Sequence, residues 1–176
     1  MQKILGPPLE WSFRELFGIE GDENARAILL FREYYTARGV RECTVYPGIP
    51  EALAALRDAG YRLAVATSKQ EEQARTILCA QGLAPYFDFI GGAEETGAHP
   101  RSDKESVLRY CFASLPNASP EHTLMIGDRR YDMLGAAALG MDSAGVLWGF
   151  GSREELLAAG ARIIADSPKD FIRLIH

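Results

Sequence analysis

The sequence predicts a three-layer α/β domain, a parallel sheet with helices on both faces, preceded by a short helical segment. Two features predict it. From Val45 onward, short apolar runs alternate with stretches whose apolar residues recur at helical spacing, the pattern of strand-to-helix crossovers in a parallel sheet. Ahead of Val45 only helical spacing occurs. A chain of 176 residues with 47% hydrophobic content also has enough apolar material for one real core.

The elements follow in order. Residues 9–17 read as a helix through Leu9, Phe13, Leu16 and Phe17, and residues 23–38 as another through Ala27, Leu30, Phe31, Tyr34 and Tyr35. Gly18 and Gly39 stand near their ends. Tyr46-Pro47-Gly48 is the expected hinge, giving residues 1–44 as a helical part and 45–176 as the α/β part. The second part reads as helix 50–59, strand 62–66, helix 71–81 and strand 87–90, then helix 104–114, strand 124–126 and helix 131–139. It closes with strand 144–147, helix 153–159, strand 162–164 and a last helix from Lys169. On such a sheet, ligands bind beyond the C-terminal strand ends.

Composition narrows the class. A net charge of −5 and a pI near 5.3, with Lys and Arg dispersed, argue against nucleic acid and favour a small partner. Cys43, Cys79 and Cys111 are odd in number and show no CxxC spacing, which indicates neither a disulfide framework nor zinc and fits a reducing cytoplasm. No apolar run approaches the roughly 18 residues that span a bilayer, and no signal-peptide pattern opens the chain.

The tract Thr123-Leu124-Met125-Ile126-Gly127-Asp128-Arg129-Arg130-Tyr131-Asp132 carries the chemistry. An apolar strand runs into Gly127 and Asp128, and Asp132 follows four residues on, where a helix should begin. Two carboxylates at a strand end, sharing a face of a first helical turn, suit Mg2+, which takes few carboxylates and keeps waters. Gly127-Asp128 reads equally as a turn, with Asp132 a carboxylate favoured by the helix dipole. Thr67-Ser68-Lys69 ends another strand, where a hydroxyl and the next helix's amides can hold phosphate oxygens; the alternative is an N-cap. Lys104 follows the 91–101 loop and offers charge to a phosphate, or is a solvated helix lysine. Gly149-Phe150-Gly151-Ser152 is a strand-to-helix turn, since one GxG lacks the third glycine of a dinucleotide loop. His99, His122 and His176 have no metal spacing. Trp11, Phe13, Phe17, Phe31, Tyr34 and Tyr35 read as helix-packing core, or as the wall of a pocket.

Taken together, Ala64-Val65-Ala66-Thr67-Ser68-Lys69, Lys104 and Ile126-Gly127-Asp128-Arg129 through Asp132 resemble the haloacid dehalogenase superfamily, in its phosphoglycolate-phosphatase-like branch with a helical cap. Ile4-Leu5-Gly6-Pro7-Pro8-Leu9 resembles a cap segment, Val45-Tyr46-Pro47-Gly48 the return to the core, and 149–152 a tract after the last core strand. The resemblance implies a Rossmann-like (HAD-like) core at 45–176 and a partial cap at 1–44. It also implies a Mg2+-dependent phosphatase of small phosphomonoesters. Thr67 and Ser68 would bind the phosphoryl group, Lys104 would stabilise nucleophile and phosphate charge, and Asp128 would hold Mg2+ with Asp132 in support. Many relatives place that lysine before a proline; here Arg101 is a possible substitute.

The family's reaction opens with attack by the first aspartate of a D-x-D-G-T motif, giving an aspartyl-phosphate, and the second protonates the leaving alcohol. No D-x-D pair exists among Asp22, Asp58, Asp88, Asp103, Asp128, Asp132, Asp142, Asp166 and Asp170. The strand bearing that motif would lie mid-sheet, between the strands ending at Thr67 and Asp128. The expectations are therefore a first core strand missing, poor stability, negligible turnover by these residues alone, and Met1 as a misassigned start or the edge of a truncated piece. The alternative is a non-catalytic phosphate- and metal-binding module that completes its sheet with another chain.

Overall fold

The computed structural model describes residues 9–39, 42–94 and 100–175. Residues 4–8, His99 and His176 lie outside them. Two compact units divide the chain, Met1–Thr44 and Val45–His176.

In the first unit, α1 (Leu9–Phe17) and α2 (Gly21–Ala37) are joined by a turn in which Gly18 (φ 67°) and Gly21 (φ 56°) take left-handed backbone that a side chain would oppose. Asn24 fastens the turn by donating to Ile19 O at 2.7 Å and Glu10 O at 3.0 Å. Phe13 meets Phe31 edge-on and Phe31 stacks on Tyr35. The aromatic set is less enclosed than its spacing suggests: Phe17 is 55% and Tyr34 56% exposed. A helical pair has too little surface to bury both sides of a wide aromatic stripe.

In the second unit, α3 (Ile49–Asp58) leads to β1 (Ala64–Gln70), α4 (Glu71–Ala80), β2 (Phe89–Ala93), α5 (Lys104–Ser114), β3 (Leu124–Gly127) and α6 (Arg130–Ala138). The chain continues with β4 (Asp142–Val146), α7 (Arg153–Ala158), β5 (Ile163–Ala165) and α8 (Pro168–Ile175). Every ladder is parallel. β1 pairs with β2, Ala64 opposite Phe89 through Thr67 opposite Gly92. β4 lies between β3 and β5, with Leu124 opposite Asp142 and Ala144 opposite Ile163.

The strands form two parallel sheets, β1-β2 and β3-β4-β5, and no described strand pairs with both β1 and β3, the interval in which the sequence predicts a missing strand. Helices still cover both faces. On one, Leu56 of α3 and Phe171 of α8 pack with Ala144 and Ala165, joined by Leu63 and Leu124. On the other, Leu108 of α5 and Ala136 of α6 pack with Met125 and Met141, joined by Ala66. Residues at both sheets thus share the same two apolar clusters, and helix packing spans the interval that backbone hydrogen bonds do not.

The strands facing that interval are under-covered. No β1 residue is buried, and Ile126 in β3 is 40% exposed, whereas Ser143 to Val146 of β4 are all buried. Parallel strands are ordinarily covered on both faces, so β1 and β3 carry open edges. β1 also runs on to Gln70, beyond the expected end at Ala66. Its pairing with β2 slips between Thr67 and Gln70, a bulge that brings the polar run 67–70 into the strand where apolar periodicity excludes it.

Candidate functional site

Four elements place the predicted residues. Asp103 caps α5, its Oδ1 accepting from Ser106 N at 2.7 Å, so the next residue, Lys104, enters on the first turn. The Lys104 side chain is 9% exposed, and its Nζ donates to Ala66 O at 2.7 Å and to Asp132 Oδ1 at 2.8 Å. Asp132, on the first turn of α6, also accepts from Arg129 N at 3.1 Å through Oδ2. The ammonium thus joins β1, at Ala66, to the start of α6. Gly127 and Gly135 make this possible, since a Cβ on Gly127 would collide with the Asp132 carboxylate and one on Gly135 with the Lys104 stem.

Asp128 belongs to a second network. It lies in the bend before α6, so it and Asp132 do not share a helical face as their spacing suggests. Asp128 Oδ2 accepts from Phe150 N at 2.8 Å and its carbonyl from Gly151 N at 2.9 Å. No described donor bonds its Oδ1.

Thr67 and Ser68 stand on the β1 bulge and are not caps: the residue preceding α4 is Gln70, with no side-chain cap bond. Thr67 Oγ1 accepts from Lys69 N at 3.1 Å, and its hydroxyl hydrogen can still donate. Ser68 is exposed. Arg101 is not available as a substitute for Lys104. Its guanidinium bonds Gly92 O at 2.9 Å, Glu94 at 2.9 Å and Glu71 at 3.2 Å, and lies 3.8 Å from the Tyr110 ring centroid. His122 is a surface residue that bonds Ser119 Oγ.

Sequence reasoning missed Glu155. Burial opposes its charge, but bonds from Arg130 N and the Arg129 guanidinium, both 3.1 Å, hold its carboxyl below the usual value. Ser152-Arg153-Glu154-Glu155 is a capping-box pattern, and that was the available signal. Half of the box forms, Ser152 Oγ accepting from Glu155 N, while the Glu155 side chain turns to the Asp128 bend.

With this geometry in place, the relatives can be named. The sequence matches the haloacid dehalogenase-like hydrolase family over residues 1–146, and the chain belongs to that family. It is 43% identical over 148 residues to the tyrosine-protein kinase PtkA of Mycobacterium tuberculosis, a match covering 84% of this chain and 49% of that protein. The chain therefore spans about half the length of these mycobacterial relatives. It is 39% identical over 158 residues to a 5'-nucleotidase of Pseudomonas aeruginosa, 90% of this chain and 70% of that one. Among solved structures, a predicted phosphatase from Clostridium acetobutylicum superimposes with a TM-score of 0.90 at 42% identity, covering 99% of this chain and 79% of the other. The structure of M. tuberculosis PtkA gives 0.81 at 37% identity, covering 98% and 78%.

The residues fit magnesium, the cation that this family implies. No three His, Cys, Asp or Glu residues cluster among those described; with both Asp132 oxygens engaged by Lys104 and Arg129 N, Asp128 Oδ1 is the donor left, which suits a cation that takes few carboxylates and keeps its waters. A Cβ on Gly149 would collide with the Asp128 carboxylate, so only glycine there leaves that carboxylate in place.

Proposed function

We propose that this chain has the site of a Mg2+-dependent phosphatase of small phosphomonoesters, phosphoglycolate-like in substrate class, that works through an aspartyl-phosphate, and that these residues themselves lack the nucleophile. The observation that carries the reading is the buried Lys104, held between Asp132 and the Ala66 carbonyl beside the Thr67 bulge. An ammonium has three donors, and the two bonds described leave one for a phosphate oxygen or an attacking carboxylate. Asp132 fixes its direction and supplies its counter-charge. The Thr67 hydroxyl would donate to the phosphoryl group. Asp128, with Asp132 in support, would hold Mg2+, which when bound offsets phosphate charge.

Attack requires a carboxylate that no D-x-D pair in this sequence provides. Positioning and electrostatics do not replace a nucleophile, so turnover by this chain alone should be negligible. The test assays p-nitrophenyl phosphate with Mg2+, using the chain and a fusion that places an apolar strand ending in D-x-D-G-T before Met1. An inactive chain and an active fusion support the proposal. Activity of the unfused chain that depends on Asp128 would overturn the missing-nucleophile part, and an inactive, folded fusion would overturn the phosphatase reading.

The open edges of β1 and β3 favour a second reading, a module that takes its missing strand from a partner chain. This module is non-catalytic, and binding of the same strand added as a separate peptide, with no phosphatase activity gained, would support it.

A further inference from the structure

We infer that the turn Gly149–Glu155 is the positioning element of Asp128, setting which of its carboxylate oxygens faces a cation. The inference rests on the proposal that Asp128 holds Mg2+. Three independent contacts converge on the 128–130 bend from this one turn. Phe150 N holds Asp128 Oδ2, Gly151 N holds the Asp128 carbonyl, and Glu155 Oε1 receives both Arg130 N and Arg129 Nε. Side chain, carbonyl and the following peptide are thereby fixed together.

The glycines explain why the turn can come so close. A Cβ on Gly149 would strike the Asp128 carboxylate, and one on Gly151 would strike the Asp128 carbonyl oxygen. Neither glycine has a positive φ, so close approach, not backbone freedom, requires them. With Oδ2 taken by an amide, Oδ1 is the oxygen left for a ligand. Glu155 is set apart from an ordinary helix-capping glutamate because its carboxylate leaves its own helix end for the bend.

Calorimetric titration with Mg2+ of the full chain and of Gly149→Ala, Glu155→Ala and Glu155→Gln tests this. Residues that orient a metal ligand typically contribute about 10- to 100-fold to affinity. Gly149→Ala and Glu155→Ala should lose that much while the melting temperature stays close to the parent's. Glu155→Gln keeps an acceptor oxygen and should bind nearly as the parent does. Parent-like affinity in both Gly149→Ala and Glu155→Ala overturns the inference. If the parent binds no Mg2+, the metal reading fails, and amide exchange then judges the turn. Slow exchange at Phe150 and Gly151 that speeds up in Gly149→Ala or Glu155→Ala supports the positioning role; fast exchange in the parent overturns it.

Discussion

Lys104 Nζ lies 2.8 Å from Asp132 Oδ1, with the two side chains 9% and 11% exposed, and the pair ties the first turn of α5 to the first turn of α6. The same ammonium reaches the Ala66 carbonyl at 2.7 Å, so one cation links α6, α5 and β1. Removing one partner of a buried pair leaves an uncompensated charge, which costs about 3–5 kcal/mol. Asp132→Ala should therefore lower the unfolding free energy from denaturant titration by that much. Lys104→Met with Asp132→Leu should cost far less than Asp132→Ala alone. A double variant as unstable as the single one would show that the ion pair is not the source.

Arg101 should be structural. It bonds Gly92 O, Glu71 and Glu94 and covers the Tyr110 ring, which fastens the end of β2 to α4 and α5. Arg101→Met should destabilise the fold by on the order of 2 kcal/mol, the scale of a hydrogen bond to a charged group. It should leave Mg2+ affinity at the parent value. A selective loss of phosphate or Mg2+ binding without loss of stability would return Arg101 to the site.

Asp103 gives α5 a pH dependence. The bond from the Ser106 amide holds its carboxyl below the usual carboxylate range. Its capping contribution, about 1 kcal/mol, is fully present above the unfolded carboxylate value and is lost as pH falls through the lower folded value. Asp103→Ala should thus narrow the stability difference between neutral pH and the acid limb of the unfolding curve. An unchanged difference would mean that the cap does not form.

Cys111 should resist alkylation. Burial, with Glu71 next, raises its thiol from 9.0 to about 11, and its Sγ approaches Val65 O. At pH 8 iodoacetamide should modify exposed Cys79 first and leave Cys111 intact until the chain unfolds. A raised thiol pKa contributes stability below the unfolded value that is lost as pH rises through the folded one. Stability should decline between about pH 9 and 11, and Cys111→Ala should flatten that decline. Rapid labelling of Cys111 at pH 8 would contradict its burial.

The sequence by itself determined the element order and family membership, and singled out Lys104, Asp132, Thr67 and Asp128 as polar groups expected at or soon after strand ends. These are local properties: apolar period sets helix or strand, and a short polar run after an apolar one marks a strand end. It also showed that no D-x-D pair follows any apolar run. Tertiary structure alone decided who meets whom. Lys104 and Asp132 are 28 positions apart in sequence, and only the packing of α5 against α6, with glycine at 127 and 135, brings charge to charge. The bulge at Thr67, the engagement of Arg101, the turn of Asp128 toward Phe150 and the diversion of Glu155 all depend on neighbours distant in the chain.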